Sequence, residues 1–130
     1  MVGPNRKTLV KEYFCGVDNE DLPLLLRVLT EACIFSVETH RVRLIGHDQI
    51  SSMFHRLWSN HKSVRHDQFF FVDDYKNDTM AVRFRVTNKL HNNKIIYKSN
   101  CNFFTFEGNK FSEVRVYMAG DNTLDNANKS

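Results

Sequence analysis

The 130-residue sequence predicts an α+β fold in which three N-terminal helices pack on a curved, mainly antiparallel sheet. Two patterns carry this prediction. Up to residue 58, three segments repeat apolar side chains every three or four positions, as on one face of a helix. From residue 63 onward, four long β-type runs are separated by turn residues typical of hairpins. Helices followed by consecutive antiparallel strands are characteristic of the α+β class.

The helical segments begin and end at recognisable residues. The first spans 7–18 and is followed by a polar break. Asp21 is placed to cap a second, short helix, with Pro23 in its first turn, where proline is tolerated. Gly46 interrupts the chain before the third helix, and Asp48 is a candidate N-cap for it.

The strands fall into a short pair and a long meander. Two short β runs lie between the second and third helices, and the four long strands are predicted at 64–75, 79–90, 94–106 and 110–118. In the third long strand Asn102 and Phe104 share one face, while Cys101 and Phe103 share the other. Both faces are therefore partly apolar, which favours a homodimer formed through the outer sheet face.

Length, charge and hydropathy limit the classes of protein to which this sequence could belong. The sequence predicts one domain over 1–130, with a core of about 5–120 and a polar tail at 121–130. The net charge of +3 comes from interspersed charges, so we expect no nucleic-acid partner. No apolar run approaches the roughly 20 residues of a membrane helix. No signal peptide and no paired cysteine motif are evident, which predicts a cytoplasmic location.

Several stretches resemble the nuclear-transport-factor-2-like, or SnoaL-like, superfamily and the ketosteroid isomerases within it. Residues 13–18 resemble the first-helix signature of the isomerases, 81–86 their mid-sheet strand, and 106–117 their last hairpin. The resemblance covers roughly residues 5–124. It implies a cone-shaped fold in which the helices and the sheet enclose a cavity that binds a small apolar molecule.

The resemblance also implies roles for individual residues. In ketosteroid isomerases an Asp base moves a proton beside a ketone, while a Tyr and a protonated Asp stabilise the enolate. Tyr13 matches the tyrosine and Asn102 matches the protonated Asp; an amide donates a hydrogen bond at any pH. The base position falls on Val37, which moves no proton. Glu38 would enter the cavity only through a one-residue bulge, and His40 could reach its mouth.

His66 is a further candidate for a general base. It opens a strand at the expected rim of the cavity. Asp67 must point to the opposite face of that strand and cannot orient the imidazole, which favours an exposed histidine without a role. The histidines show no HExxH or HxH spacing and the glycines form no phosphate-binding loop, so neither a metal site nor a cofactor is predicted.

A set of apolar side chains is predicted to line the cavity and contact a ligand, although each of them could instead belong to a plain core. The set is Phe14, Val37, Phe54, Trp58, Phe84, Phe104 and Met118.

Three functions follow from these observations. The first is an isomerase, cyclase or dehydratase in which Tyr13 and Asn102 bind a carbonyl oxygen and Glu38, His40 or His66 moves the proton. The second is a binding module without chemistry, suggested by Val37 at the base position. The third is an interaction protein that uses its outer sheet face and is compatible with either of the others.

Overall fold

The computed structural model of the protein describes residues 5–120, and within that range it has three α-helices and six strands. The helices are α1 (Arg6–Asp18), α2 (Leu22–Val28) and α3 (Gly46–Asn60). The strands are β1 (Leu29–Val37), β2 (Val42–Ile45), β3 (Ser63–Asp74), β4 (Thr79–Lys89), β5 (Ile95–Glu107) and β6 (Lys110–Tyr117). The tail predicted at 121–130 lies outside the described residues.

The strands form one curved sheet in the order β2-β1-β6-β5-β4-β3. Neighbouring strands run antiparallel except for β1 and β6, which pair in parallel. The helices lie on the concave side, where α1 contacts β3 and α3 contacts β1. The predicted fold class is therefore confirmed. Across residues 5–120, no helix combines the length and the apolar character that a bilayer crossing would require.

Alternation along the strands places the core where the sequence predicts it. On β4, Val82, Phe84 and Val86 are buried on the concave face. On β5, Asn100, Asn102 and Phe104 share that face and are buried as well, whereas Phe103 is exposed on the other side. The inner face of β5 therefore carries polar amides inside an otherwise apolar layer.

A bulge in β3 changes which residues face inward. Pairing with β4 shifts between Asp67 and Phe70, and Gln68 has a positive φ of 56°. Before the bulge, the even-numbered His66 lies on the concave side, and after it the odd-numbered Phe69 does. A bulge inserts one extra residue and so reverses the alternation that follows it. At Glu38, where a bulge would have been needed to bring the carboxylate inward, the chain instead forms a 3₁₀ turn, Glu38–His40.

The start of α2 agrees with the prediction from the sequence, whereas the start of α3 differs from it. The side chain of Asp21 accepts a hydrogen bond from the Leu24 amide at 3.2 Å, which confirms the predicted cap of α2. The prediction that Asp48 caps α3 is wrong. That helix already begins at Gly46, and the side chain of Gln49 reaches back to accept from the Ile45 amide at 2.8 Å.

The close packing of α1 on α2 depends on Gly16. A Cβ atom added there would lie 2.9 Å from Cγ of Leu25, a fully buried side chain. We expect Gly16→Ala to destabilise the protein by about 1–2 kcal/mol, because an overpacking cost of about 1–3 kcal/mol exceeds the gain in helix propensity. Chemical denaturation measures this change. Glu12→Ala, at an exposed position of the same helix, is the control, and equal stability of the two variants would show that the helices separate freely.

Candidate functional site

A small pocket lies between the concave face of the sheet and helices α1 and α3. Its apolar wall consists of Phe14, Val17, Phe35, Met53, Phe54, Leu57, Val64, Phe84, Val86, Val116 and Met118. Its polar wall consists of Tyr13, His66, Asn88, Lys98, Asn100 and Asn102. The space open to the centres of water molecules is about 60 Å³, which holds about four waters. Only a small ligand fits unless the aromatic side chains move.

His66 and Asp18 form a hydrogen-bonded pair at the pocket wall. Nδ1 of His66 lies 2.5 Å from Oδ1 of Asp18, and the other carboxylate oxygen accepts from the His66 backbone amide at 2.9 Å. A carboxylate accepts hydrogen bonds, so in the neutral imidazole Nδ1 carries the proton and Nε2 keeps its lone pair. A histidine oriented in this way is a general base whose carboxylate partner stabilises the imidazolium that forms.

The fold brings this pair together at an edge of the sheet. Asp18 is the last residue of α1, and β3 is an edge strand. An edge strand leaves backbone N–H groups without strand partners, and Asp18 takes one of them. The imidazole also contacts the rings of Phe14 and Phe84, at centroid distances of 4.9 and 5.4 Å. These contacts fix the ring beside the pocket.

Buried amides line the wall formed by β4 and β5. The side-chain oxygen of Asn100 accepts from the backbone amide of Ala119 at 3.0 Å, so the carboxamide nitrogen is the group that this side chain can offer a ligand. The side-chain oxygens of Asn88 and Asn102 are buried and receive no hydrogen bond from residues 5–120. Buried polar atoms nearly always have a partner, so these two atoms indicate a bound molecule or water in the pocket.

Tyr13 sits deep between the layers. Its ring packs edge-on against Phe104 and Phe111, with centroids 5.2 and 6.3 Å away. Burial, with a smaller contribution from nearby Cys33, raises the pKa of Tyr13 well above its ordinary value. The phenol therefore stays neutral and keeps an O–H that can donate a hydrogen bond.

Solved structures of other proteins superpose closely on this chain. A proposed polyketide cyclase of Xanthomonas campestris pv. campestris superposes with a TM-score of 0.78 at 16% identity, over 85% of this chain and 87% of that one. A second proposed polyketide cyclase, from Pseudomonas putida, gives 0.75 at 18% identity over 84% and 87%. A ketosteroid-isomerase-like protein of Catenulispora acidiphila in complex with trimethylamine gives 0.76 at 10% identity over 89% and 86%.

The chain has the nuclear-transport-factor-2-like fold. No protein-family model and no curated protein matches the sequence. The fold is shared by 329 matching solved chains, and one fold carries many chemistries, so the function has to be argued from the pocket.

The structure brings together some of the predicted site residues of this nuclear-transport-factor-2-like chain. Of the candidates for chemistry, Tyr13, Asn102 and His66 line the pocket. Four residues predicted to contact a ligand line it too, namely Phe14, Phe54, Phe84 and Met118.

Two candidate bases lie outside the pocket. Glu38 is exposed, accepts a hydrogen bond from the Ser36 hydroxyl, and borders a polar groove on the convex side of the sheet. The Nδ1 atom of His40 lies 3.0 Å from the hydroxyl of its neighbour Thr39. Both side chains follow the end of β1 in the 3₁₀ turn, and neither lines the pocket.

Three predicted ligand contacts belong to the surrounding packing instead. Val37 is fully buried in the core beside Val116 and does not line the pocket. Phe104 is fully buried behind Tyr13. The Trp58 indole donates to the carbonyl oxygen of Val17 at 2.9 Å and holds the end of α1 in place. These residues shape the pocket without forming its surface.

The sequence did not identify Asp18 as a functional residue, although it contains one signal for such a role. A carboxylate in the last turn of a helix faces the negative end of the helix dipole, which is unfavourable. An aspartate there calls for another partner, and in this protein the partner is His66. Asp67 does point away, as predicted, and pairs with Arg85. The expectation of an exposed histidine is wrong, because the His66 side chain is only 10% exposed and is paired with Asp18.

The buried residue His61 makes folding depend on pH. Burial lowers the pKa of His61, while its hydrogen bond to the Leu57 carbonyl opposes the shift. The unfolded chain therefore binds this proton first as the pH falls. The stability that His61 contributes is complete above about pH 6.5 and is lost as the pH drops towards the folded-state pKa.

We expect the free energy of unfolding to fall more steeply between pH 7.5 and 5.5 in the wild-type protein than in His61→Asn. The asparagine keeps an N–H donor near Leu57 but does not titrate. Urea denaturation across this pH range measures both slopes. His55→Asn, at an exposed position of the preceding helix α3, should follow the wild type, and identical slopes for all three proteins would contradict the prediction.

Proposed function

We propose that this protein is an acid–base catalyst of the isomerase type that acts on a small carbonyl compound, with His66 as the base. The single observation that carries the proposal is the His66–Asp18 pair at the wall of a small, mostly apolar pocket. An oriented histidine beside a small-molecule pocket is the arrangement that proton abstraction requires.

The step that this geometry supports is a proton transfer within the substrate. Nε2 of His66 removes a proton from the carbon beside the carbonyl, and the electron pair of that C–H bond moves to the carbonyl oxygen. The enolate oxygen is held by amide N–H groups of Asn100 and Asn102, with the neutral phenol of Tyr13 at the inner end of the pocket. In a β,γ-unsaturated substrate the imidazolium then returns the proton to the γ carbon, the carbonyl re-forms, and the double bond moves into conjugation with it. Asp18 stabilises the imidazolium meanwhile.

The pocket size supports a small substrate. Room for about four waters restricts the ligand to a small molecule. The ketosteroid-isomerase-like neighbour that holds trimethylamine is one example of the same fold with a small molecule. The cytoplasmic setting expected from the sequence stays a prediction.

His66→Asn should lower the rate of proton transfer by about 10²–10⁴-fold, because asparagine keeps a donor towards Asp18 but has no base. Asp18→Asn should have a smaller effect in the same direction. The assays are conversion of a β,γ-unsaturated cyclohexenone to its conjugated isomer and uptake of solvent deuterium by small ketones, followed by NMR.

Asp67→Asn is the matched control for these variants. It removes a neighbouring carboxylate that pairs with Arg85 on the opposite face, so its rate should stay within about twofold of the wild type. Binding of ketones without conversion or exchange in the wild-type protein would favour the binding module instead.

The convex side of the sheet supports a second role, formation of a homodimer. Phe70, Tyr97, Phe103 and Tyr117 are large side chains exposed there, and Phe103 and Tyr117 pack edge-on at 5.7 Å. Large apolar side chains exposed on one face of a sheet favour an interaction site there. The face is the one expected from the sequence to meet a second subunit.

We expect light scattering at micromolar concentration to give the mass of a dimer, and Phe103→Glu to give a monomer, because the charge would be buried without a partner. Tyr75→Glu is the control, since this exposed aromatic lies in the turn after β3. A monomeric wild-type protein would overturn this role.

A further inference from the structure

The pocket wall contains a buried carboxamide that the proposed proton transfer does not use. Asn88 lies on the concave face of β4, is only 2% exposed and lines the pocket. Its side-chain oxygen is buried and receives no hydrogen bond from residues 5–120. Buried acceptors nearly always have a partner, and an apolar occupant would leave this one without any. A ligand that fills this part of the pocket therefore needs a hydrogen-bond donor at Asn88.

The charges on the pocket wall favour a neutral donor. Among the described residues that line the pocket there is no aspartate or glutamate. An ammonium group on the ligand would therefore be buried without a carboxylate on the wall beside it, which is costly. A hydroxyl group is neutral, and it can donate to the amide oxygen of Asn88 while accepting from the amide nitrogen. The group that fits this side chain is therefore a hydroxyl.

Asn88 is a diagonal neighbour of His66 on the concave face. In the strand register His66 is opposite Val86 on β4, and Asn88 is two residues further along that strand, opposite Val64. Diagonal neighbours in an antiparallel pair of strands lie about 7–8 Å apart. A hydroxyl that bonds to Asn88 and a carbon that faces the imidazole can therefore belong to one small molecule.

Asn100 lies on the other side of the row that contains His66. It is opposite Phe84 on β4, four residues before Asn88, so the row of His66 falls between the two asparagines. The side-chain oxygen of Asn100 already accepts from the Ala119 amide, so its nitrogen is the group offered to a ligand. Along the strands the wall thus presents an acceptor, then a base, then a donor.

We infer that the ligand of this pocket is a small α-hydroxy ketone or aldehyde, with its hydroxyl on Asn88. In such a molecule the hydroxyl, the C–H bond beside it and the carbonyl follow one another in the order in which the wall presents Asn88, His66 and Asn100. The hydroxyl contact depends on the buried carboxamide, whereas the position of the C–H bond rests on the proposed function.

With such a substrate the proton transfer exchanges the carbonyl and the hydroxyl. His66 removes the proton from the carbon that carries the hydroxyl. The electron pair of that C–H bond forms the C=C bond of an enediolate, and the carbonyl π pair moves onto the carbonyl oxygen. The hydroxyl proton passes to that oxygen, the former hydroxyl oxygen becomes the carbonyl, and the imidazolium returns its proton to the former carbonyl carbon. The product is an isomer, so no other reactant is needed.

The test compares hydroxyacetone with butanone, in which a methyl group replaces the hydroxyl. Binding is measured by titrating the protein and following its NMR spectrum. We expect the wild-type protein to bind hydroxyacetone at least about fivefold more tightly, because butanone leaves a buried amide unpaired. Asn88→Leu, which keeps the size of the side chain, should lose this preference. Thr87→Val, on the opposite face of the same strand, is the matched control and should keep it.

Equal affinity of the wild-type protein for the two ketones would overturn the inference, since water would then satisfy Asn88. A preference retained in Asn88→Leu would overturn it as well. Should Asn88→Leu fail to fold, the side-chain NH₂ signals of Asn88 in the wild-type protein decide the question. Hydroxyacetone should shift these signals more than butanone does, and equal shifts would contradict the inference.

His66→Asn separates this inference from the proposed function. The variant should lose the conversion of hydroxyacetone to 2-hydroxypropanal while keeping the binding preference. A wild-type protein that prefers hydroxyacetone but exchanges no protons would refute the catalytic proposal alone. One that isomerises the β,γ-unsaturated ketone but binds both probes equally would refute the hydroxyl inference alone.

Discussion

The apolar inner face of the sheet has to be kept from water, and helices α1 and α3 do this by packing aromatic side chains against it. Tyr13 and Phe14 of α1 meet Phe104 of β5 with ring centroids 5.2 and 5.9 Å apart. Such pairs contribute about 0.5–1.5 kcal/mol each beyond the area they bury. Because these rings fill most of the space between the layers, the remaining pocket is small, and its size limits the ligand.

The pair of Asp18 and His66 both connects two elements of the fold and forms part of the candidate site. It joins the end of α1 to the edge strand β3 through the imidazole and the backbone amide of His66. Taking a carboxylate out of water is costly, and these two hydrogen bonds offset part of that cost. The position at the end of the helix adds no helix stability. We therefore interpret the contact as one that orients the imidazole of His66.

Most of the fold was predictable because its signals are local. The predicted strand 79–90 corresponds to Thr79–Lys89, and the predicted helix 7–18 corresponds to Arg6–Asp18. Asp21 acts as the cap that its position indicates. The failure at Asp48 has a local cause as well, because Gln49 supplies the hydrogen bond at the start of α3 and the helix begins three residues earlier than a cap at Asp48 would place it.

For the site, the sequence by itself determined that Tyr13, Asn102 and His66 are polar residues on elements that face the pocket. Only the tertiary structure decided that Asp18, 48 residues away, orients His66 and that Asn88 lies beside it. Periodicity reports which face a residue occupies, but not which residue of another element it meets. That pairing depends on where α1 ends against β3 and on the strand register, which are set by packing across the whole domain.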